Sequence, residues 1–213
     1  MALSGQTEAI AKVLGALPSE LPKDHRFVIA LAGPPAAGKT TLAAALVDAL
    51  DNTAGLLAMD GFHFDDSILA SRGHLPRKGA PHTFDVASYA MTLRTVRDSP
   101  GIEQSVPVFD RDLELSRNCA SLVSSSHRIL VTEGNYLLLR DAPWEPLREL
   151  FDLTVWLNVP LETIEKRTYE RWSSAGFPAE EIRRRAEEND LPNARAIIGN
   201  SGPADLTLSL IHI

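Results

Sequence analysis

The chain has 213 residues, 21 Lys and Arg against 28 Asp and Glu, a formal net charge of -7 and one cysteine, Cys119. That acidic balance argues against a broad electrostatic footprint for nucleic acid or an anionic membrane, and a lone cysteine excludes an intrachain disulfide or a multi-cysteine zinc site. The expectation is one domain with a small-molecule partner and a cytoplasmic address: Met1–Ile10 lacks a basic leader, and no apolar run approaches the roughly 20 residues of a membrane helix.

Ala9, Val13, Leu14 and Leu17 recur at helical spacing before Pro18 and Pro22, which predicts an amphipathic helix over 4–17 outside the sheet. Five apolar runs predict strands at Phe27–Ala32, Gly55–Met59, Arg128–Thr132, Leu153–Val159 and Leu206–Ile211. Helical patterns fall at Thr40–Leu50, Val86–Arg97, Trp144–Leu150 and Leu161–Ser174, with a charged helix at Ala179–Asn189. Runs apolar on both faces that alternate with helices imply βαβ units and a parallel sheet covered on both sides, hence an α/β fold. Arg72–Pro81, RGHLPRKGAP, reads as a loop within the domain.

Between the first strand and the next helix lies GPPAAGKT, Gly33–Thr40, which fits the phosphate-binding pattern GxxxxGK[ST]. Gly33 and Gly38 let backbone approach oxygen, and the loop spanning Pro34, Pro35, Ala36, Ala37 and on to Thr41 is the predicted nucleotide contact. Lys39 can reach the outer phosphates and the Thr40 hydroxyl can ligate Mg²⁺, while the helix offers its positive end to the anion. Two further strands end in acids, at Met59-Asp60-Gly61-Phe62-His63 and Thr132-Glu133-Gly134-Asn135-Tyr136. Ligands gather at the carboxyl ends of parallel strands, so Asp60 and Glu133 are expected to face the phosphates, Asp60 as general base with Gly61 leaving room for the acceptor, and Glu133 on the metal side.

The ordered set GPPAAGKT, MDGFHF, RKGAPHTFD, PVFDRDLE and LVTEGNY resembles the phosphoribulokinase and uridine kinase family of P-loop kinases, which includes a bacterial pantothenate kinase. Within it the likeness is greatest to bacterial fructose-transport-system kinases and fructokinase-like proteins, from about Phe27 to the C-terminus. The resemblance implies a P-loop NTPase fold with a five-stranded parallel sheet, helices on both faces and a helical lid over about 160–190, in one domain over 1–213. It implies ATP with Mg²⁺ and a hydroxyl acceptor. It places the catalytic base on Asp60, and the substrate side on Arg77, Lys78, His82, Asp85, Asp110 and Arg111; His63 and Tyr136, beside the two strand-end acids, are further candidate substrate contacts. It also implies an arginine-bearing lid. Arg167 and Arg171, four apart on one helical face, are the lid candidates; Arg183–Arg185 are the rival, although Glu180 and Glu181 four residues earlier suggest a salt-bridged surface helix instead.

His63, His74 and His82 lack the spacing of a zinc cluster. Phe62, Phe64, Phe84 and Phe109 read as core more readily than as a base-stacking set, and Trp156 reads as core. A nucleotide-driven switch is the competing function class, but NKxD and LSGGQ signatures are absent. The acceptor stays open between a sugar, led by fructose, pantothenate, a nucleoside and a phosphosugar. Oligomeric state stays open as well, with a homodimer one option.

Overall fold

The computed structural model describes residues 5–209. In chain order it places α1 at Gly5–Gly15, β1 at Phe27–Ala32, α2 at Lys39–Ala49, β2 at Ala54–Ala58, α3 at Asp66–Ser71 and α4 at Val86–Asp98. There follow β3 at Gln104–Asp110, β4 at Leu115–Val123, β5 at Ile129–Gly134, β6 at Leu153–Asn158, α5 at Leu161–Ser174, α6 at Ala179–Arg185, α7 at Leu191–Asn200 and β7 at Leu206–Ser209. Residue 4 of the expected first helix and residues 210–211 of the expected last strand lie outside the described residues.

Five strands form one parallel sheet in the order β2-β5-β1-β6-β7, as the α/β reading requires. Side chains alternate along β1, so Val28, Ala30 and Ala32 pack with Tyr89, Leu93 and Val96 of α4. Phe27, Ile29 and Leu31 face Leu42 and Leu46 of α2 across the other surface. Each of the larger aliphatic and phenyl side chains among them, fully buried, contributes about 1.5–3 kcal/mol. Among the described residues no helix is long and apolar enough to cross a membrane.

Several predicted boundaries move. β2 stops at Ala58, so Asp60 sits in a 3-10 turn, Met59–Phe62, rather than at a strand end. β5 runs on to Gly134, which puts Glu133 inside the strand. Glu145–Leu150 is a 3-10 helix closed by i→i+3 bonds, where apolar spacing predicted an α-helix. The charged helix expected over 179–189 ends at Arg185; a π turn, Ala186–Asp190, follows and runs directly into α7. Pro192 falls in the first turn of α7, where its missing N–H costs little.

The sequence reading also passed over β3 and β4, an antiparallel hairpin beside the main sheet. Its pattern is weak because most of β4 is exposed, and the register shifts between Val106 and Val108, around Pro107. The hairpin has a specific docking point. A Cβ on Gly61 would stand 2.6 Å from the Pro107 carbonyl oxygen, so glycine there admits the hairpin backbone, and not an acceptor as the sequence suggested.

Arg26, just before β1, is fully buried with no carboxylate among its partners. Instead its five N–H groups each donate to a backbone carbonyl: Nε to His127 at 3.0 Å, Nη1 to Val96 at 2.5 Å and Ser99 at 2.6 Å, Nη2 to Ile102 at 2.8 Å and Ser124 at 3.2 Å. One guanidinium thereby ties the end of α4 and the turn before β5 to the start of the central strand. Removing it leaves several buried carbonyls without donors, each costing about 1–3 kcal/mol. Arg26→Ala is expected to lower unfolding free energy by at least about 3 kcal/mol in urea titration, and Arg26→Lys, with only three donors, to recover less than half of that. A loss below about 1 kcal/mol in the alanine variant would contradict this assignment.

Candidate active site

Register decides what meets at the carboxyl edge of the sheet. Glu133 of β5 pairs with Leu31 of β1 on one side and with Ala58 of β2 on the other. Two residues past that row, the three strands release Gly33, Asn135 and Asp60 together. The phosphate loop, the GNY turn and the DGFH turn therefore open onto one place.

Within the phosphate loop, Ala36 (φ 58°) and Gly38 (φ 92°) adopt left-handed backbone, a geometry that turns successive amides toward a common anion site at the start of α2. A Cβ at Gly38 would meet nothing within 4 Å, so space lies open above it; one at Gly33 would press on the Leu157 carbonyl oxygen at 3.0 Å. Gly38 thus serves the loop conformation. Gly33 allows close contact with β6.

Lys39 is buried, and its ammonium donates to the Pro34 carbonyl at 2.9 Å and to Asn135 Oδ1 at 2.6 Å. Burial lowers its pKa to about 8; the negative fields of Glu133 and Asp60 oppose the fall, and Arg171 and Arg111 add to it. Glu133, also buried, accepts from the Thr40 hydroxyl at 3.0 Å. Its pKa is raised, first by burial and then by the neighbouring Asp60 charge. Asp60 is partly open and accepts from Arg111 Nη2 at 3.2 Å.

His63 Nδ1–H donates to the Asp60 carbonyl, 2.8 Å away, and the ring lies between those of Phe84 and Phe109, at 4.0 and 4.5 Å. Desolvation lowers its pKa. Phe62 and Phe84 are buried as expected; Phe64 and Phe109 are only partly so. Asp110 accepts from the Asp112 and Leu113 amides and pairs with Arg117, holding the hairpin turn that carries Arg111.

The remaining acceptor-side residues divide. Lys78 pairs with Asp66 at 2.6 Å and donates to the Glu114 carbonyl, which pins the loop to the hairpin. Arg77 turns the other way, onto Asn189 and Asn193. The hydroxyl of buried Tyr136 donates to the Gly79 carbonyl at 2.6 Å and so braces the loop. His82 is exposed and stacks edge-on against His74 at 4.5 Å. Asp85 caps α4 through the Ser88 amide at 3.0 Å.

Of the lid arginines, Arg167 donates to the Ala36 carbonyl of the phosphate loop at 3.3 Å, and Arg171 pairs with Asp190 at 2.6 Å. Arg184 and Arg185 both pair with Glu181, while Glu180 has no part in those pairs; Arg185 also covers Trp172 and Phe177. Asn135, Asn189, Asp190 and Asn193 were missed in the sequence. For Asn135 the signal was available, since it follows Glu133 by two residues and must leave the same strand edge.

No family model matches the chain. It is 31% identical over 205 residues to a Schizosaccharomyces pombe protein provisionally named uridine kinase C227.14, covering 91% of this chain and 87% of that protein. The chain belongs to the P-loop kinases of the uridine kinase and pantothenate kinase type. A pantothenate kinase of Corynebacterium diphtheriae is 32% identical over 175 residues, 78% of this chain and 54% of that enzyme, so the chain spans about half its length. A crystal structure from Silicibacter sp. TM1040, provisionally described as a fructose transport system kinase, superposes with a TM-score of 0.86 at 36% identity and covers 97% of this chain and 99% of that one. This P-loop kinase is therefore a phosphotransferase with a small-molecule substrate, and its family implies ATP and, typically, Mg²⁺.

The residues present fit that pair of ligands. The Thr40 and Glu133 oxygens supply the hard donors Mg²⁺ prefers, and the left-handed loop with Lys39 supplies amides and a cation for phosphate. The lowered Lys39 pKa sets a sign. Below about pH 8 the buried ammonium costs folding stability in full, and the cost fades as pH rises from about 8 toward the ordinary lysine value of 10.5. A bound polyphosphate reverses the shift. At about pH 9, Mg·ATP binding is expected to take up most of a proton, and at about pH 6.5 none through Lys39, by calorimetry in buffers of different ionisation enthalpy. Lys39→Ala should lose the uptake at the higher pH; equal uptake in both proteins would contradict the assignment.

Proposed function

We propose that this chain, acting as one kinase domain over 1–213 with a lid over about 160–190, transfers the γ-phosphate of ATP to a hydroxyl of a small sugar such as fructose. The observation that carries the reading is a pair of carboxylates around the buried Lys39: Glu133 near the end of β5 against the Thr40 hydroxyl, and Asp60 in the turn after β2 against Arg111. Support for a sugar comes from the 36% identical structure described as a fructose transport system kinase. The uridine and pantothenate kinase relatives favour a second reading, a nucleoside or pantothenate acceptor.

Phosphoryl transfer asks the protein chiefly for positioning and for neutralisation of charge. In this scheme Lys39 and the loop amides bind the outer phosphates, and Thr40 and Glu133 would hold Mg²⁺, which supplies charge neutralisation there when bound. Asp60 stands on the acceptor side. It takes the hydroxyl proton and aims the oxygen, while Arg111 keeps the carboxylate in place. Arg167 rests on the phosphate loop, and Arg171, held by Asp190, lies close enough for its charge to act on Lys39, so in this scheme the lid brings positive charge to the transferring group. His63, Lys78 and the hairpin turn around Asp110 then form the acceptor wall.

With Mg·ATP, a coupled assay over fructose, other sugars, uridine, pantothenate and glycerate should single out a sugar by the largest kcat/KM. Turnover confined to pantothenate or a nucleoside would replace the sugar reading with the second one. With the acceptor so found, Asp60→Asn is expected to lower kcat by about 10²–10⁴-fold while the Mg·ATP dissociation constant moves by less than about threefold. An unchanged kcat would remove Asp60 from the base role.

A further inference from the structure

At the end of the lid, against the acceptor loop, lies a segment given no part of its own in the scheme above, the π turn Ala186–Asp190. Such turns are rare in helices and concentrate at functional sites. This one makes polar contacts in two directions. Asn189 Nδ2 donates to the Lys78 carbonyl at 2.8 Å, and its Oδ1 accepts from Arg77 Nε at 3.1 Å. Those two bonds fix which atom of the amide is oxygen, because a flipped Asn189 would set donor against donor and acceptor against acceptor. Arg77 Nη2 completes the clamp on Asn193 Oδ1 at 3.2 Å, and Asn193 in turn donates to Asn189.

One residue on, the direction changes, since neighbours on a helix point about 100° apart. Asp190 Oδ2 accepts from Arg171 Nη2 at 2.6 Å and from the Trp172 indole N–H at 2.7 Å. Asp190 and Asn193 are both buried, at 9% and 5% exposure, so these bonds lie in a medium where an unpaired partner is expensive. Burial first, and then the charges of Asp60 and Asp190, raise the pKa of Tyr136, so Asp190 lies within electrostatic reach of that hydroxyl. A third tie, Tyr169 to Glu187 at 3.1 Å, fastens the same turn to α5.

We propose that the Asn189–Asp190 pair couples the acceptor loop to the phosphate lid: Asn189 reads the position of the Arg77–Lys78 backbone, and Asp190 sets the position of Arg171. The two are positioning residues. Neither needs to touch a reacting atom. Because they are consecutive on one turn, a loop shift that moves Asn189 must move Asp190 and carry the Arg171 guanidinium with it. The inference rests on the reading above, in which the loop borders the acceptor and Arg171 serves the transferring phosphate. It adds that the lid arginine is correctly placed only when the acceptor loop is.

The test needs no acceptor. The probe is Mg·ADP with beryllium fluoride, which fills the γ-phosphate position, and the readout is its dissociation constant relative to that of Mg·ADP alone. Asp190→Asn keeps an acceptor for Trp172 but loses the charge facing Arg171; it should raise the ratio about as much as Arg171→Ala, and the double variant should add less than about twofold. From the loop side, Arg77→Ala and Arg171→Ala should be non-additive by at least about threefold, and that coupling should vanish in an Asn189→Ala background. Asn189→Asp, which keeps the bond from Arg77 and loses the one to Lys78, serves if the alanine variant melts early. Additive effects of Arg77→Ala and Arg171→Ala, or coupling that survives both Asn189 variants, would overturn the proposal. A wild-type protein that binds Mg·ADP but gains nothing from beryllium fluoride would instead overturn the underlying kinase reading, and the proposal with it.

Discussion

The cleft depends on holding an ammonium and a carboxylate, Lys39 and Glu133, both under 8% exposed, at one edge of a parallel sheet. Burying either charge alone is costly, and the pair is tolerable only with each group hydrogen-bonded. The protein meets that requirement from two strand exits and a helix start: Pro34 after β1 and Asn135 after β5 hold the ammonium, and Thr40 at the start of α2 holds the carboxylate. The in-register row Leu31, Glu133 and Ala58 makes this possible. A one-residue slip of β5 would turn Glu133 toward the opposite face, where Thr132 now bonds Tyr89 and the Leu57 carbonyl. Accurate pairing in the core therefore sets the chemistry at the edge. The lowered Lys39 pKa and the raised Glu133 pKa record what that burial costs.

Around this fixed centre the proposed acceptor side is assembled from less regular pieces. The hairpin docks through Gly61 and Pro107, and its turn delivers Arg111 to Asp60. The loop after α3 is held from three sides, by Tyr136 beneath, by Lys78 on Asp66 and the hairpin, and by Arg77 on the helices beyond the lid. These ties are individually modest hydrogen bonds, about 0.5–1.5 kcal/mol for neutral pairs and more where charged. The centre is rigid because its strands are buried on both faces; the acceptor wall is adjustable because its contacts are few and partly open.

What could be read from the sequence follows the same division. The five parallel strands announced themselves because runs buried on both faces are apolar throughout, as in Phe27–Ala32, where all six residues are buried. The phosphate loop was legible because its chemistry fixes Gly33, Gly38, Lys39 and Thr40 at set spacing between a strand and a helix. The hairpin was not, since an exposed strand such as LSRNCASLV carries no burial pattern. Arg26 gave no signal either: its partners are backbone carbonyls at residues 96–127, which no side-chain motif encodes. Asn189 and Asp190 fell inside what looked like an ordinary charged helix, and only the π turn and its contacts separate them from a solvated face. Gly61 was singled out for the wrong reason, because sequence gives the need for space but not its occupant.

The scheme stands on a division of labour between the two carboxylates, Glu133 on the metal side and Asp60 on the acceptor side. The most direct measurement is the ratio of ADP affinities with and without Mg²⁺ in Glu133→Gln and Asp60→Asn, by calorimetry at one ionic strength. The account predicts that Glu133→Gln loses about tenfold or more of the Mg²⁺-dependent gain, a change of about 1.4 kcal/mol, while Asp60→Asn keeps it within about threefold. Loss of the Mg²⁺ dependence in Asp60→Asn with its retention in Glu133→Gln would contradict it.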